Sequence, residues 1–152
     1  MTARITWLRG LHGMRDGILE QVTDADLGFC LGGDNVSFGQ LFQDLADLEQ
    51  SYGASLRDHV QRWPDHEDVR GTPTTSELQR RFEALDTEME VALTSAEKAT
   101  DIAITRPEGE VRAPDEQVEI YTQALFIFLG KAVVHLRAMS KQLPPSVAHY
   151  IG

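Results

Sequence analysis

Val118–Leu143, VEIYTQALFIFLGKAVVHLRAMSKQL, sets the architecture. At helical spacing Val118, Tyr121, Leu125, Phe128, Leu129, Ala132, Leu136, Met139 and Leu143 form one apolar stripe. The middle of the stretch, ALFIFLGKAVV, adds Phe126, Ile127, Val133 and Val134 on the remaining sides. A helix that is apolar nearly all round has to be covered on several faces. The segment therefore predicts partner helices on one side and a second subunit on the other. The run ALFIFLG is far too short to cross a bilayer.

The segments upstream supply those partners. Ile5–Val22 places Leu8, Leu11, Ile18, Leu19 and Val22 on one face of a first amphipathic helix, weakened by Gly10, Gly13 and Gly17. Arg15 falls inside that stripe. It either lays its stem on the core with its head in water or joins a buried ion pair. Thr23–Ser37 is a polar, glycine-rich connector, and Ser37 is suited to cap a second helix.

That helix carries Phe38, Leu41, Phe42, Leu45, Leu48, Tyr52 and Leu56, with a pattern that extends toward Val60 and Trp63. Glu49 lies within its stripe and Asp44 on the edge. Trp63–Pro73 reads as a loop containing His66. Thr74, Thr75 or Ser76 caps a third helix with Leu78, Phe82, Leu85, Met89 and Leu93 inward and strongly charged outer faces. Lys98–Pro114 is a long excursion turning at RPEGE. Ile102 and Ile104 suggest an extended piece there, though one without a pairing partner. The last helix opens at Pro114–Asp115 and stops at Pro144–Pro145, and the tail after it is too short for an element of its own. Four helices with sizeable connections predict a single all-α domain over 1–152, an antiparallel four-helix bundle.

Composition narrows the function classes. With 14 Lys+Arg against 24 Asp+Glu, the formal net charge of -10 repels a phosphate backbone, and Arg80–Arg81 is flanked by Glu77 and Glu83. Nucleic-acid binding is not expected. Cys30 is the single cysteine, so no internal disulfide forms and a reducing compartment is the expectation. No basic start precedes a long apolar run, which points to the cytoplasm. Cys30 has no neighbouring basic residue in sequence to lower its pKa, and no P-loop, dinucleotide fingerprint or Ser/His/Asp order appears.

Two segments resemble a known family. SFGQLFQDLADLE (Ser37–Glu49) is similar to the second-helix signature of the DinB-like family, small bacterial four-helix-bundle proteins. That signature runs Ser, apolar, Gly, further apolar positions, then His-Leu-Ala-Asp-x-Glu. FLGKAVVHLRAMSKQLPP (Phe128–Pro145) is similar to the last-helix signature, in which a His-Arg-Gly-Gln stretch leads to Tyr-Leu-Arg and on to Pro-Pro. Thr23–Leu27 also looks like the family's polar link after helix one.

The resemblance implies a divalent metal held by one His from helix two and two from helix four, spaced four apart. Here those positions are Asp44, Ala124 and Phe128. Gly130 and Arg137 match the last-helix pattern, whereas Lys131 replaces its Gln and His135 stands where Tyr is common. The inherited metal site is therefore expected to be absent, with no cofactor bound.

What remains is an interior cleft that Arg15, Asp44, Glu49, Phe128 and His135 could line. Against that stand plainer roles: Asp44 on a solvated bundle edge, and His135 as a core histidine bonded through one ring nitrogen. A Zn site built from Asp44, Glu49 and His135 would need a further ligand. Arg15 and Glu49 both face inward, and burying either charge alone is expensive, so a helix-one to helix-two salt bridge is expected. His12 lies beside the first stripe. None of His12, His66 and His149 has metal-ligand spacing to another histidine.

The expectation is a small-molecule-binding or protein-interaction module that dimerises through its last helix. The alternative the resemblance implies is a metal-dependent thiol S-transferase, isomerase or hydrolase of altered mechanism, carried by Asp44, Glu49 and His135.

Overall fold

The computed structural model describes residues 2–64, 71–97 and 102–150. Residues 65–70, with His66, and 98–101 of the expected excursion lie outside the described residues. The chain is mostly helical, as the periodicity predicts: α1 (Thr2–Leu19), α2 (Phe38–Asp58), α3 (Thr75–Ala96), α4 (Pro114–Ala138) and α5 (Pro145–Tyr150). A two-stranded antiparallel hairpin, β1 (Ile104–Thr105) with β2 (Val111–Arg112), interrupts them.

Local chemistry fixes the helix ends. Ser37 caps α2 by accepting the Gln40 N–H at 3.2 Å. Thr74 and Glu77 form a capping box on α3, with the Glu77 carboxylate accepting the Thr74 N–H at 2.8 Å. At α4, Pro114 sits in the first turn and Glu116 reaches back to the Ala113 N–H at 3.0 Å.

Packing then places the helices. α2 lies against α3 and α4, and α1 against α3, α4 and α5. Phe38, Phe42, Phe82, Leu125 and Leu129 are fully buried among them. Gly39 sits at a tight approach at the start of α2: a Cβ there would come within 3.1 Å of both the Leu27 carbonyl and the Pro73 ring, so either neighbour would have to give way. α4 alone among the described helices is long and apolar enough to cross a bilayer, but its inner face is occupied by the protein core.

Five sequence expectations need correction. The first helix is shifted toward the N-terminus, since Gln21 and Val22 make only short-range turn bonds after Leu19. α2 does not continue to Val60 and Trp63, because His59 turns into the left-handed region at φ 60°. The segment after it is taken up by the hairpin: Val60 bridges Thr105, and the Gln61 N–H reaches the Thr105 carbonyl at 2.8 Å. Ile104 therefore has pairing partners, supplied by the turn at Arg106–Gly109, where Gly109 adopts φ 83°.

α4 also ends before Leu143. Ser140 takes φ 57° and the Lys141 N–H returns to the Leu136 carbonyl at 2.8 Å. Finally, the tail does form an element, α5, whose Val147 is buried against the core.

Candidate functional site: a buried charge centre

The polar residues inside the fold converge on one place. α1 contributes His12 and Arg15, three residues apart and so on one face. Glu49 comes from α2, Asp86 from α3 and Tyr121 from α4. Arg15 is 0% exposed and Glu49 1%, so neither charge is solvated by bulk water. The guanidinium lies 4.0 Å above the Phe82 ring, a cation–π contact in a desolvated setting.

Arg15 spends its donors on three carboxyl groups. NH1 donates to Glu49 Oε2 at 2.9 Å and to Asp86 Oδ1 at 3.0 Å, NH2 to Asp86 Oδ2 at 2.9 Å, and Nε to Asp16 Oδ1 at 2.8 Å. The expected Arg15–Glu49 pair is thus present, and the paired reading of Arg15 holds over the solvated one. The fork onto Asp86 is bidentate, the geometry that best repays burial of an ion pair.

His12 extends the network. Its Nδ1 lies 2.8 Å from Asp86 Oδ1 and its Nε2 2.9 Å from the Tyr121 hydroxyl. A carboxylate only accepts, so Nδ1 carries a proton, and in the neutral imidazole Nε2 then accepts from the Tyr121 hydroxyl.

The two carboxyls that share Arg15 behave differently. Burial pushes Glu49 up to about 8 despite the neighbouring guanidinium. Burial acts the same way on Asp86, but hydrogen bonds from His12 and Arg15 prevail and hold it well below the usual range. Asp86 keeps the charge and Glu49 keeps the proton. Burial, reinforced by Glu49, also raises the Tyr121 hydroxyl well above its ordinary value.

The remaining expected residues lie elsewhere. Asp44 is half-buried and accepts the Gln40 side-chain amide at 2.7 Å. Phe128 is buried edge-on against Phe42, ring centroids 5.0 Å apart. His135 stacks on Phe38 at 4.9 Å and meets the Lys131 carbonyl through Nδ1 at 2.9 Å. Its Nε2 is buried without a partner among the described residues. His135 is thus the core histidine of the plainer reading. Of the five residues proposed to share a cleft, Arg15 and Glu49 meet directly, while Asp44, Phe128 and His135 take these other partners.

Sequence reasoning missed His12 and Asp86. His12 precedes Arg15 by one helical turn, and Asp86 sits four residues after Phe82 and three before Met89, alongside the inward stripe. Both signals are weak in the sequence, because His12 only flanks the first apolar stripe and Asp86 falls among the charges of the third helix.

A helical protein with an arginine-centred carboxylate cluster in its interior is the class that fold and site define. Compared with known proteins, the chain matches no protein-family model and no curated protein.

Proposed function

We propose that the chain is a DinB-like antiparallel four-helix bundle whose histidine-triad chemistry has been replaced by a binding and interaction role, exercised as a cytoplasmic homodimer. The DinB-like reading draws on SFGQLFQDLADLE and FLGKAVVHLRAMSKQLPP, and on a close approach that explains the glycine of the first of them, Gly39. Loss of the triad draws on Phe128, which fills with an aromatic ring a position where the resemblance expects a ligand.

The observation that carries the interaction role is the outer face of α4. Phe126 is 41% exposed, Ile127 61% and Val134 52%, and Trp7 of α1 extends the patch with its ring centroid 6.2 Å from that of Phe126. Residues at spacings of seven and eight share a helix face, so these side chains form one apolar strip. Gly130 sits midway along it, and beyond its own helix backbone nothing lies within 4 Å of where a side chain would begin. Exposed strips of this kind mark contact surfaces.

Sedimentation equilibrium at micromolar protein tests the reading. A dimer mass for the wild type and a monomer mass for a folded Phe126→Glu, Ile127→Glu double variant are expected. A monomeric wild type overturns it.

The alternative, a metal-dependent thiol S-transferase, isomerase or hydrolase, is favoured by a different observation, the oriented Asp86–His12 pair. Such an activity would draw on the charge centre rather than on Asp44, Ala124 and Phe128.

A further inference from the structure

One oxygen of the charge centre is left over. Glu49 Oε1 makes no hydrogen bond of normal geometry, although the residue is 1% exposed. Arg15 donates to the other Glu49 oxygen, to both Asp86 oxygens and to Asp16, but not to this one. A buried carboxyl oxygen without a donor in normal geometry is costly, and such groups in a native interior call for an explanation; the nearby Tyr121 hydroxyl interacts with Glu49 as well as with His12.

What Oε1 faces is His12 Nε2, at 3.8 Å. That is too long for a hydrogen bond. It is close to the roughly 3.4 Å that separates two N or O ligands each about 2.1 Å from a tetrahedral ion. His12 is also held as metal-ligating histidines are, with its opposite nitrogen committed to a carboxylate, here Asp86 at 2.8 Å. The Tyr121 hydroxyl, 2.9 Å from Nε2, supplies a third donor atom at the same place. Around the single guanidinium stand the carboxyls of Glu49, Asp86 and Asp16, so an incoming cation meets acidic groups on three sides once Glu49 is ionised.

We propose that His12 Nε2 and Glu49 Oε1 bind a divalent transition-metal ion, with the Tyr121 oxygen as third donor and Asp86 aiming the imidazole. His12, Glu49 and Asp86 offer ligand atoms all within 4.8 Å of one another. The Asp86 oxygens are already taken by Arg15 and His12, so it orients rather than ligates. An imidazole with one carboxylate and a phenol suits Zn2+ or Co2+. Ca2+ and Mg2+ demand more oxygens than these helices present. On binding, the ion takes the Nε2 lone pair, Tyr121 turns its O–H away so that its oxygen faces the ion, and the Glu49 proton is released to solvent. This site is separate from the Asp44, Ala124 and Phe128 positions and independent of the dimer reading.

The test uses the full chain, with any affinity tag removed, stripped with a chelator and titrated with Zn2+ by calorimetry, with Co2+ as a spectroscopic probe. One ion per chain is expected, with visible Co2+ bands of a low-coordinate nitrogen–oxygen site. Glu49→Gln and His12→Gln should each weaken Zn2+ at least about ten-fold, and Asp86→Asn by about 10- to 100-fold. Asp44→Asn, His59→Gln and His149→Gln should bind as the wild type does. Circular dichroism identifies variants that fail to fold, and for those the wild-type stoichiometry and Co2+ spectrum decide. Substoichiometric Zn2+, a six-coordinate aquo-type Co2+ spectrum, or equal binding by folded Glu49→Gln overturns the proposal.

Discussion

Asp44 and Phe128, where the resemblance expects metal ligands, and the centre formed by His12, Arg15, Glu49, Asp86 and Tyr121 both draw on α2 and α4, yet they are satisfied in opposite ways. At the first, Phe128 packs on Phe42, and Asp44 bonds locally to Gln40. At the second, a fully buried cation is ringed by carboxyl groups from three helices. The difference lies in what each side chain leaves unsatisfied. A phenylalanine asks only for contact, whereas a buried guanidinium requires α1, α2 and α3 to meet at one register.

The largest expected effects come from attacking each region by its own physics. Arg15→Ala strands Asp86 without its counter-ion and Glu49 without its donor, and loss of one member of a buried ion network costs about 3–5 kcal/mol. Phe128→Ala opens a cavity at the other region at a cost of about 3–5 kcal/mol. Urea denaturation measures both. Asp44→Ala, by contrast, should stay within about 0.5 kcal/mol, as partly exposed sites without a buried network do. An Asp44 variant as damaging as the Arg15 variant would break the comparison.

pH separates the regions next. Glu49 has a folded-state value of about 8, above its ordinary 4.5, so the folded protein binds this proton more tightly than the unfolded chain. The Glu49 contribution therefore favours folding below pH 4.5 and is lost as pH rises toward 8. Asp86 is lowered, so its contribution is present above its unfolded value and lost as pH falls below it. Chemical denaturation of the chelator-treated protein should show stability declining from about pH 5 to pH 8, with a slope of at most about 1.4 kcal/mol per unit from one group. Glu49→Gln, which fixes the neutral form, should flatten that decline.

The smallest effect concerns the outer surfaces. A Cβ on Gly10, Gly13 or Gly130 meets nothing within 4 Å, so alanine at each should raise stability by up to about 1 kcal/mol, read as a higher melting temperature. Gly130→Arg should leave the monomer folded while shifting the sedimentation mass downward. An unchanged dimer would place the contact elsewhere.

Much of the helical layout was legible because the apolar stripes of α2, α3 and α4 are regular, and Ser37, Thr74 and Pro114 announce their starts. The hairpin was not, because strands of two residues carry no periodic signal and β1 is paired partly through Val60, far away in sequence. At the charge centre, Arg15 and Glu49 were legible because a charge inside an apolar stripe demands a partner. His12 and Asp86 were not, since a residue on a stripe's margin turns inward or outward according to where the neighbouring helix lies.

The most direct test of the central claim is the titration of Glu49, followed by carboxyl-carbon NMR on chelator-treated protein and assigned with Glu49→Gln. A midpoint near 8 is expected, because burial dominates and Asp86 keeps the charge of the pair. A midpoint in the ordinary glutamate range of about 4–5 would contradict it, leaving an unremarkable ion pair where the protein's buried polar chemistry was placed.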